Sequence, residues 1–141
     1  MRFMILIKAT GDTEGGAMPS TEQLEAMGKY NAELVEAGVM VDGAGLHPSS
    51  KGAKVKFSGK QTTVVDGPFA ESKELIAGFW MIEVDSLDEA IDWVRRCPSE
   101  DGEESEIEIR QVFEAADFGD EYTPELREAD DKLREQIAEK Q

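Results

Sequence analysis

A single cysteine and a single histidine are all that this sequence offers to thiol, metal and imidazole chemistry. Cys97 has no second thiol to pair with and no neighbouring histidine, which excludes an intrachain disulfide and leaves no metal or redox motif. Long apolar runs are missing too: none approaches the ~20 residues needed to span a bilayer. The opening stretch MRFMILIKATGD lacks the basic lead and small-residue cleavage site of a signal peptide, so Phe3 to Ile7 reads as a buried strand and a reducing cytoplasm as the expected setting. Basic residues are scarce, fifteen against thirty-one acidic ones, for a net charge of -16. A field of that sign repels phosphate backbones and anionic membranes, and predicts neither direct nucleic-acid binding nor membrane binding. No Ser/His/Asp triad, HExxH or phosphate loop is present, so hydrolytic, metal and nucleotide chemistry lack a warrant, and neither metal nor cofactor is expected.

What is there reads as one domain with an appendage: residues 1–113, then an acidic, mostly helical extension over 114–141. Arg2 to Lys8 is a strand apolar on both faces, with Phe3, Ile5 and Ile7 on one side and Met4 and Leu6 on the other. Past the glycine-rich loop Gly11 to Gly16, Ser20 and Gln23 have capping-box spacing, and Leu24, Met27, Tyr30, Leu34 and Ala37 recur at helical intervals up to Gly38. Val39 to Val41 is extended and runs into a Gly43, Gly45, Pro48 segment. Ala53, Val55 and Phe57 then alternate with Lys54, Lys56 and Ser58, and Ser58-Gly59-Lys60 turns the chain into Gln61 to Asp66 as a hairpin. Ala77 to Val84 is a second nearly continuous apolar strand. Ser86 and Glu89 form the expected capping box of a helix carrying Leu87, Ala90, Ile91 and Val94, which Cys97-Pro98 closes. Ile107, Ile109 and Val112-Phe113 suggest a last strand, and Thr123-Pro124 opens a C-terminal helix.

This order, βαβ, hairpin, βαβ, predicts an α+β, ferredoxin-like split βαβ sheet with an inserted hairpin. Two helices cover one sheet face only. The strands around Ile5 and Phe79 to Ile82 are apolar on both, so a second copy of the chain is the expected cover and a dimeric α+β barrel the expected assembly.

Val65-Asp66-Gly67-Pro68-Phe69-Ala70-Glu71-Ser72-Lys73-Glu74 resembles the DGPFAETKE signature of the DGPF branch of the YCII-related family, departing by Ser72 where threonine is usual. Ala37-Gly38-Val39, Gly43-Ala44-Gly45-Leu46 and Gly78-Phe79-Trp80 resemble the flanking stretches, and the resemblance covers roughly residues 1 to 113. It implies a ferredoxin-like fold and a dimeric α+β barrel. For activity it points two ways: related YCII proteins include a dehydrochlorinase-like enzyme and suggest a His/Asp pair as active centre, while some DGPF proteins are encoded beside or fused to alternative sigma factors.

In the residues themselves, Asp66-Gly67-Pro68 can simply reverse the chain, with aspartate capping, glycine accepting a positive φ and proline fixing the next. Phe69 is a core anchor or a ligand contact, and Trp80 and Tyr30 line either a cavity or the core. His47 lies between Leu46 and Pro48 before the hairpin, and Asp66 ends its second strand. Side by side, Asp66 would orient the imidazole and His47 would move a proton. Two functions follow. One is a cofactor-free small-molecule enzyme with His47 and Asp66 as catalytic residues and Gly67, Pro68, Phe69, Trp80 and Tyr30 around the ligand. The other is a metabolite-binding or regulatory homodimer that contacts a protein such as a sigma factor.

Overall fold

The computed structural model describes residues 1–70, 74–99 and 105–140. Part of the signature (Glu71, Ser72 and Lys73) and the head of the acidic stretch that begins at Glu100 lie outside these described residues. The chain divides into two compact units, Met1–Gln111 and Val112–Gln141.

In the first unit, β1 (Arg2–Lys8) is followed by a short helix α1 (Gly11–Glu14), the long helix α2 (Thr21–Glu36) and β2 (Met40–Gly45). A hairpin of β3 (Ala53–Ser58) and β4 (Gln61–Asp66) comes next, then β5 (Ile76–Glu83), α3 (Leu87–Arg95) and β6 (Ile107–Gln111). Four strands form an antiparallel sheet in the order β2-β5-β1-β6, while β3 and β4 form a separate two-stranded sheet. This is the strand order of a ferredoxin-like sheet once the hairpin is set aside, with the two doubly apolar strands in its centre. The fold is mixed α+β, as the sequence predicts.

Register explains the core. Phe3 faces Ile82, Ile5 faces Trp80 and Ile7 faces Gly78 across the β1–β5 pair. Because side chains alternate along a strand, these residues share the face that α2 and α3 cover. Phe3, Ile5, Trp80 and Ile82 pack with Tyr30 and Leu34 of α2 and Ala90 of α3 into one buried cluster. Each fully buried large side chain there contributes about 1.5–3 kcal/mol. The helices start where polar side chains can cap them. Ser20 and Gln23 exchange hydrogen bonds at α2 in the expected box, Gln23 N–H donating to Ser20 Oγ at 3.1 Å and Ser20 N–H to Gln23 Oε1 at 2.7 Å. At α3 only half of the expected box forms: Glu89 N–H donates to Ser86 Oγ, but the Glu89 carboxylate accepts from the Asp85 amide, one residue earlier than the motif requires.

Three elements differ from the sequence reading. The glycine-rich stretch after β1 contains α1, because Thr10 and Thr13 satisfy each other's amides in a capping box of their own. The extended stretch read over Val39 to Val41 continues through Gly43-Ala44-Gly45, which pair with Trp80, Phe79 and Gly78 as the second half of β2. A side chain at 43 would approach Trp80 Cδ1 to 2.8 Å, so glycine here permits close strand packing against the indole. Third, β6 ends at Gln111, and Val112-Phe113 belongs to the second unit.

The other sheet face carries Met4 opposite Met81 and Leu6 opposite Phe79, all half-buried. Ion pairs at Arg2–Glu83 (3.6 Å) and Lys8–Glu108 (3.4 Å) frame it, each worth at most about 1 kcal/mol at such exposure. In the second unit, Thr123 caps the helix α4 (Pro124–Glu139), with Pro124 in its first turn, as expected. Phe113 stacks on Phe118 and Phe118 meets Tyr122 edge-on, while the Tyr122 hydroxyl donates to Asp130. Leu126, Leu133 and Ile137 of α4 are exposed.

Tyr30 ties the two core helices together by donating its hydroxyl to the Trp93 carbonyl at 2.7 Å. Burial, more than any neighbouring charge, pushes its pKa from 10.0 up to about 12. The folded state thus favours the neutral phenol, a contribution fully present below the unfolded value and lost as pH climbs through the folded one. Tyr30→Phe should cost about 1 kcal/mol at neutral pH in urea unfolding. Between pH 10.0 and about 12 the wild type should lose stability faster than the variant, narrowing that difference.

Candidate functional site

The loops that gather at one end of the sheet are drawn there by backbone pairing. The Leu46 amide donates to the Ala77 carbonyl at 2.8 Å, and the Ala9 amide to the Leu75 carbonyl at 2.8 Å, so the exits of β1 and β2 lie beside the entry of β5. The hairpin root closes the same corner, its Gly67 amide donating to the Gly52 carbonyl at 3.0 Å. A cleft of about 400 Å³ results, lined by Glu14, His47, Ser49, Lys51 and Glu74 among polar residues and by Leu46, Phe69 and Leu75 among apolar ones.

Its wall is held by a hydrogen-bond relay that joins the end of α1, the turn after β2 and the segment after β4. The Phe69 amide donates to Ser49 Oγ at 3.0 Å, and the Ser49 hydroxyl donates to Glu14 Oε2 at 2.5 Å. The Ser49 amide adds a third bond, to Glu14 Oε1 at 3.0 Å. The hydroxyl bond and then the amide bond hold the Glu14 carboxyl below its ordinary range, since both favour the charged form. On the hairpin side, the Lys54 ammonium sits 4.3 Å from the centre of the Phe69 ring.

Gly67 and Pro68 shape this corner. The bond between them is cis. The expected positive φ at Gly67 is not found; among the described glycines positive φ occurs at Gly16, Gly38, Gly59 and Gly119. Glycine is needed at 67 for space instead: a Cβ there would stand 1.6 Å from the Ser49 carbonyl oxygen. Asp66 pairs with Ala53 at the hairpin root and is exposed.

The expected site residues are therefore divided. His47 and Phe69 line the cleft, and Gly67 builds its wall. Asp66 is not among the lining residues, and among the described residues no hydrogen bond or ion pair joins it to His47. Tyr30 and Trp80 lie in the core, 4% and 6% exposed, with ring centroids 5.4 Å apart. The Trp80 indole N–H donates to Asn31 Oδ1 at 2.9 Å, and the ring forms part of a second cleft between α2 and β2. Glu14, Ser49 and Lys51 were missed by sequence reasoning. Glu14 sat in a stretch read as a glycine-rich loop and Ser49 in a short turn, and no spacing along the chain reports that the two meet.

Fold and site together define a ferredoxin-like α+β protein with a cleft built from loops at one end of its sheet. Residues 1–116 match the model of the YCII-related domain, and the chain belongs to that family. A curated relative, an uncharacterised protein of Rhizobium meliloti (strain 1021), is 41% identical over 80 residues, which covers 57% of this chain and 64% of that protein. The chain thus spans just under two thirds of the length of that relative.

Gly67→Ala should unfold the corner at a cost of about 2–4 kcal/mol, because the added methyl meets backbone, which cannot rotate away. Ser49→Ala should leave the sheet intact and flatten the acid limb of the stability curve. The depressed Glu14 carboxyl contributes stability above its unfolded pKa and loses it as pH falls through the folded one; without the Ser49 hydroxyl the larger cause of that depression is removed and the amide bond alone remains. Urea titrations from neutral to acid pH check both.

Proposed function

We propose that this YCII-related protein, of the DGPF branch, binds a small organic acid in the loop cleft and works as a cofactor-free metabolite-binding homodimer. The observation that carries the reading is that His47 and Lys51, two groups able to hold an anion, both line a cleft whose Glu14 carboxylate is held by Ser49, with Glu74 the other acid in the lining. A cleft of about 400 Å³ suits a small ligand, and Leu46, Phe69 and Leu75 supply the apolar contact that most such sites share. Binding is favoured over proton transfer by a His47–Asp66 pair because that carboxylate does not line the cleft. Calorimetry with a panel of small mono- and dicarboxylates, succinate and fumarate included, tests the reading. Lys51→Gln and His47→Gln should each weaken binding at least about tenfold while the fold stays unchanged, an effect on the scale of one charge-assisted hydrogen bond. Equal binding by both variants would sink it.

The dimer half of the reading rests on the sheet face bearing Met4, Leu6, Phe79 and Met81, which no helix of the first unit covers. Packing the same face of a second copy against it removes that apolar area from water, with the 2-fold axis between the sheets. Sedimentation equilibrium should give twice the monomer mass, and Leu6→Glu should shift the protein to monomer.

A further inference from the structure

The second cleft lies within the first unit, between α2 and β2, and measures about 520 Å³. Glycine makes its floor. Gly43 stands opposite Trp80, and Gly45 stands opposite Gly78, which in turn faces Ile7, so the three glycines share the helix-covered face of the sheet with Trp80. A methyl group at Gly45 would meet nothing within 4 Å. Ile7, Met27, Met40 and Val41 add apolar walls. Asn31 is the polar group set among them. The Trp80 indole N–H can only donate, so the Asn31 atom that it meets at 2.9 Å is the carbonyl oxygen, which leaves the amide Nδ2 as a donor. Nδ2 has no hydrogen-bond partner among the described residues, and no buried side-chain nitrogen or oxygen among them lacks one, so Nδ2 is accessible. Among the described lining residues Asp42 alone is charged; it is exposed and accepts from the Gly43 amide at 2.8 Å. Such a lining gives an anion nothing to pair with, and the chain's net charge of -16 repels it further.

We infer that this cleft binds an uncharged ring compound carrying one carbonyl oxygen, with the ring on the glycine floor and the oxygen accepting from Asn31 Nδ2. Apolar walls around a few well-placed polar groups are the usual make-up of a small-molecule site. The bond to Trp80 is what makes the site selective: it occupies the only acceptor of the Asn31 side chain, so the ligand atom that meets this amide must itself accept. This cleft and the loop cleft have no lining residue in common, so the inference stands apart from the organic acid proposed there.

Titrating acetophenone into the full chain tests this, with the Trp80 indole N–H followed by NMR and that of Trp93, which is not a lining residue, as the reference. A saturable shift at Trp80 is expected. Isopropylbenzene has the same shape without an acceptor oxygen and should bind about fivefold more weakly, the factor of one neutral hydrogen bond, with benzoate weaker than acetophenone as well. Asn31→Asp keeps the oxygen that Trp80 needs and removes the donor. Acetophenone should then bind no better than isopropylbenzene, whose own affinity stays the same. Gly45→Val grows into open space on a strand, where valine is favoured, and should abolish both titrations while thermal stability is retained. No saturable shift at Trp80, or one that persists in Gly45→Val, overturns the site. Equal affinities for acetophenone and isopropylbenzene, tighter binding of benzoate, or an acetophenone affinity unchanged in Asn31→Asp overturns the ligand assigned to it.

Discussion

The antiparallel pairing of β1 with β5 is the contact on which the rest of the molecule depends. Both strands are apolar on both faces, so they are stable only in the middle of the sheet, and placing them there sends β2 and β6 to the edges. One face of the pair collects Tyr30, Leu34 and Ala90 and so anchors both helices. The other face is left to Met4, Leu6, Phe79 and Met81, all half-buried. The same pairing aligns the entry of β5 with the exits of β1 and β2 and creates the corner in which the cleft forms.

At that corner the structure relies on polar groups to do what packing does in the core. Glu14, Ser49 and the Phe69 amide join the end of α1, the turn after β2 and the segment after β4. Such a relay is directional: it sets the position of Phe69 and the turn that carries His47 far more tightly than apolar contact would. Gly67 completes it by letting the signature turn pass against the Ser49 carbonyl with no room for a side chain. Steric fit at Gly67 and the hydrogen bond of the Phe69 amide thus account for this part of the segment, while His47 and Lys51 of the cleft come from neighbouring turns.

Charge is segregated along the chain: Lys51 to Asp66 carries four lysines and one aspartate in a protein of net charge -16. On the hairpin, Val55, Phe57 and Val64 share one face and are exposed, while Lys54 lies on the other and reaches Phe69.

Strand and helix order, the doubly apolar central strands, the hairpin and the caps at Ser20 and Thr123 were legible in the sequence because each depends on residues a few positions apart: alternation, 3.6-residue recurrence, and side chains reaching the next turn. The extension of β2 through Gly43 to Gly45 was not legible for the opposite reason, since it rests on pairing with Gly78 to Trp80, thirty-odd residues away, with the Trp80 indole close against Gly43. The site shows the same division. The signature segment and His47 stood out along the chain, but their partners did not: Glu14 meets Ser49 across 35 positions and Ser49 meets Phe69 across 20. Only tertiary structure decides such meetings, because a hydrogen bond between loops is set by where the sheet brings their ends, and no local periodicity records that.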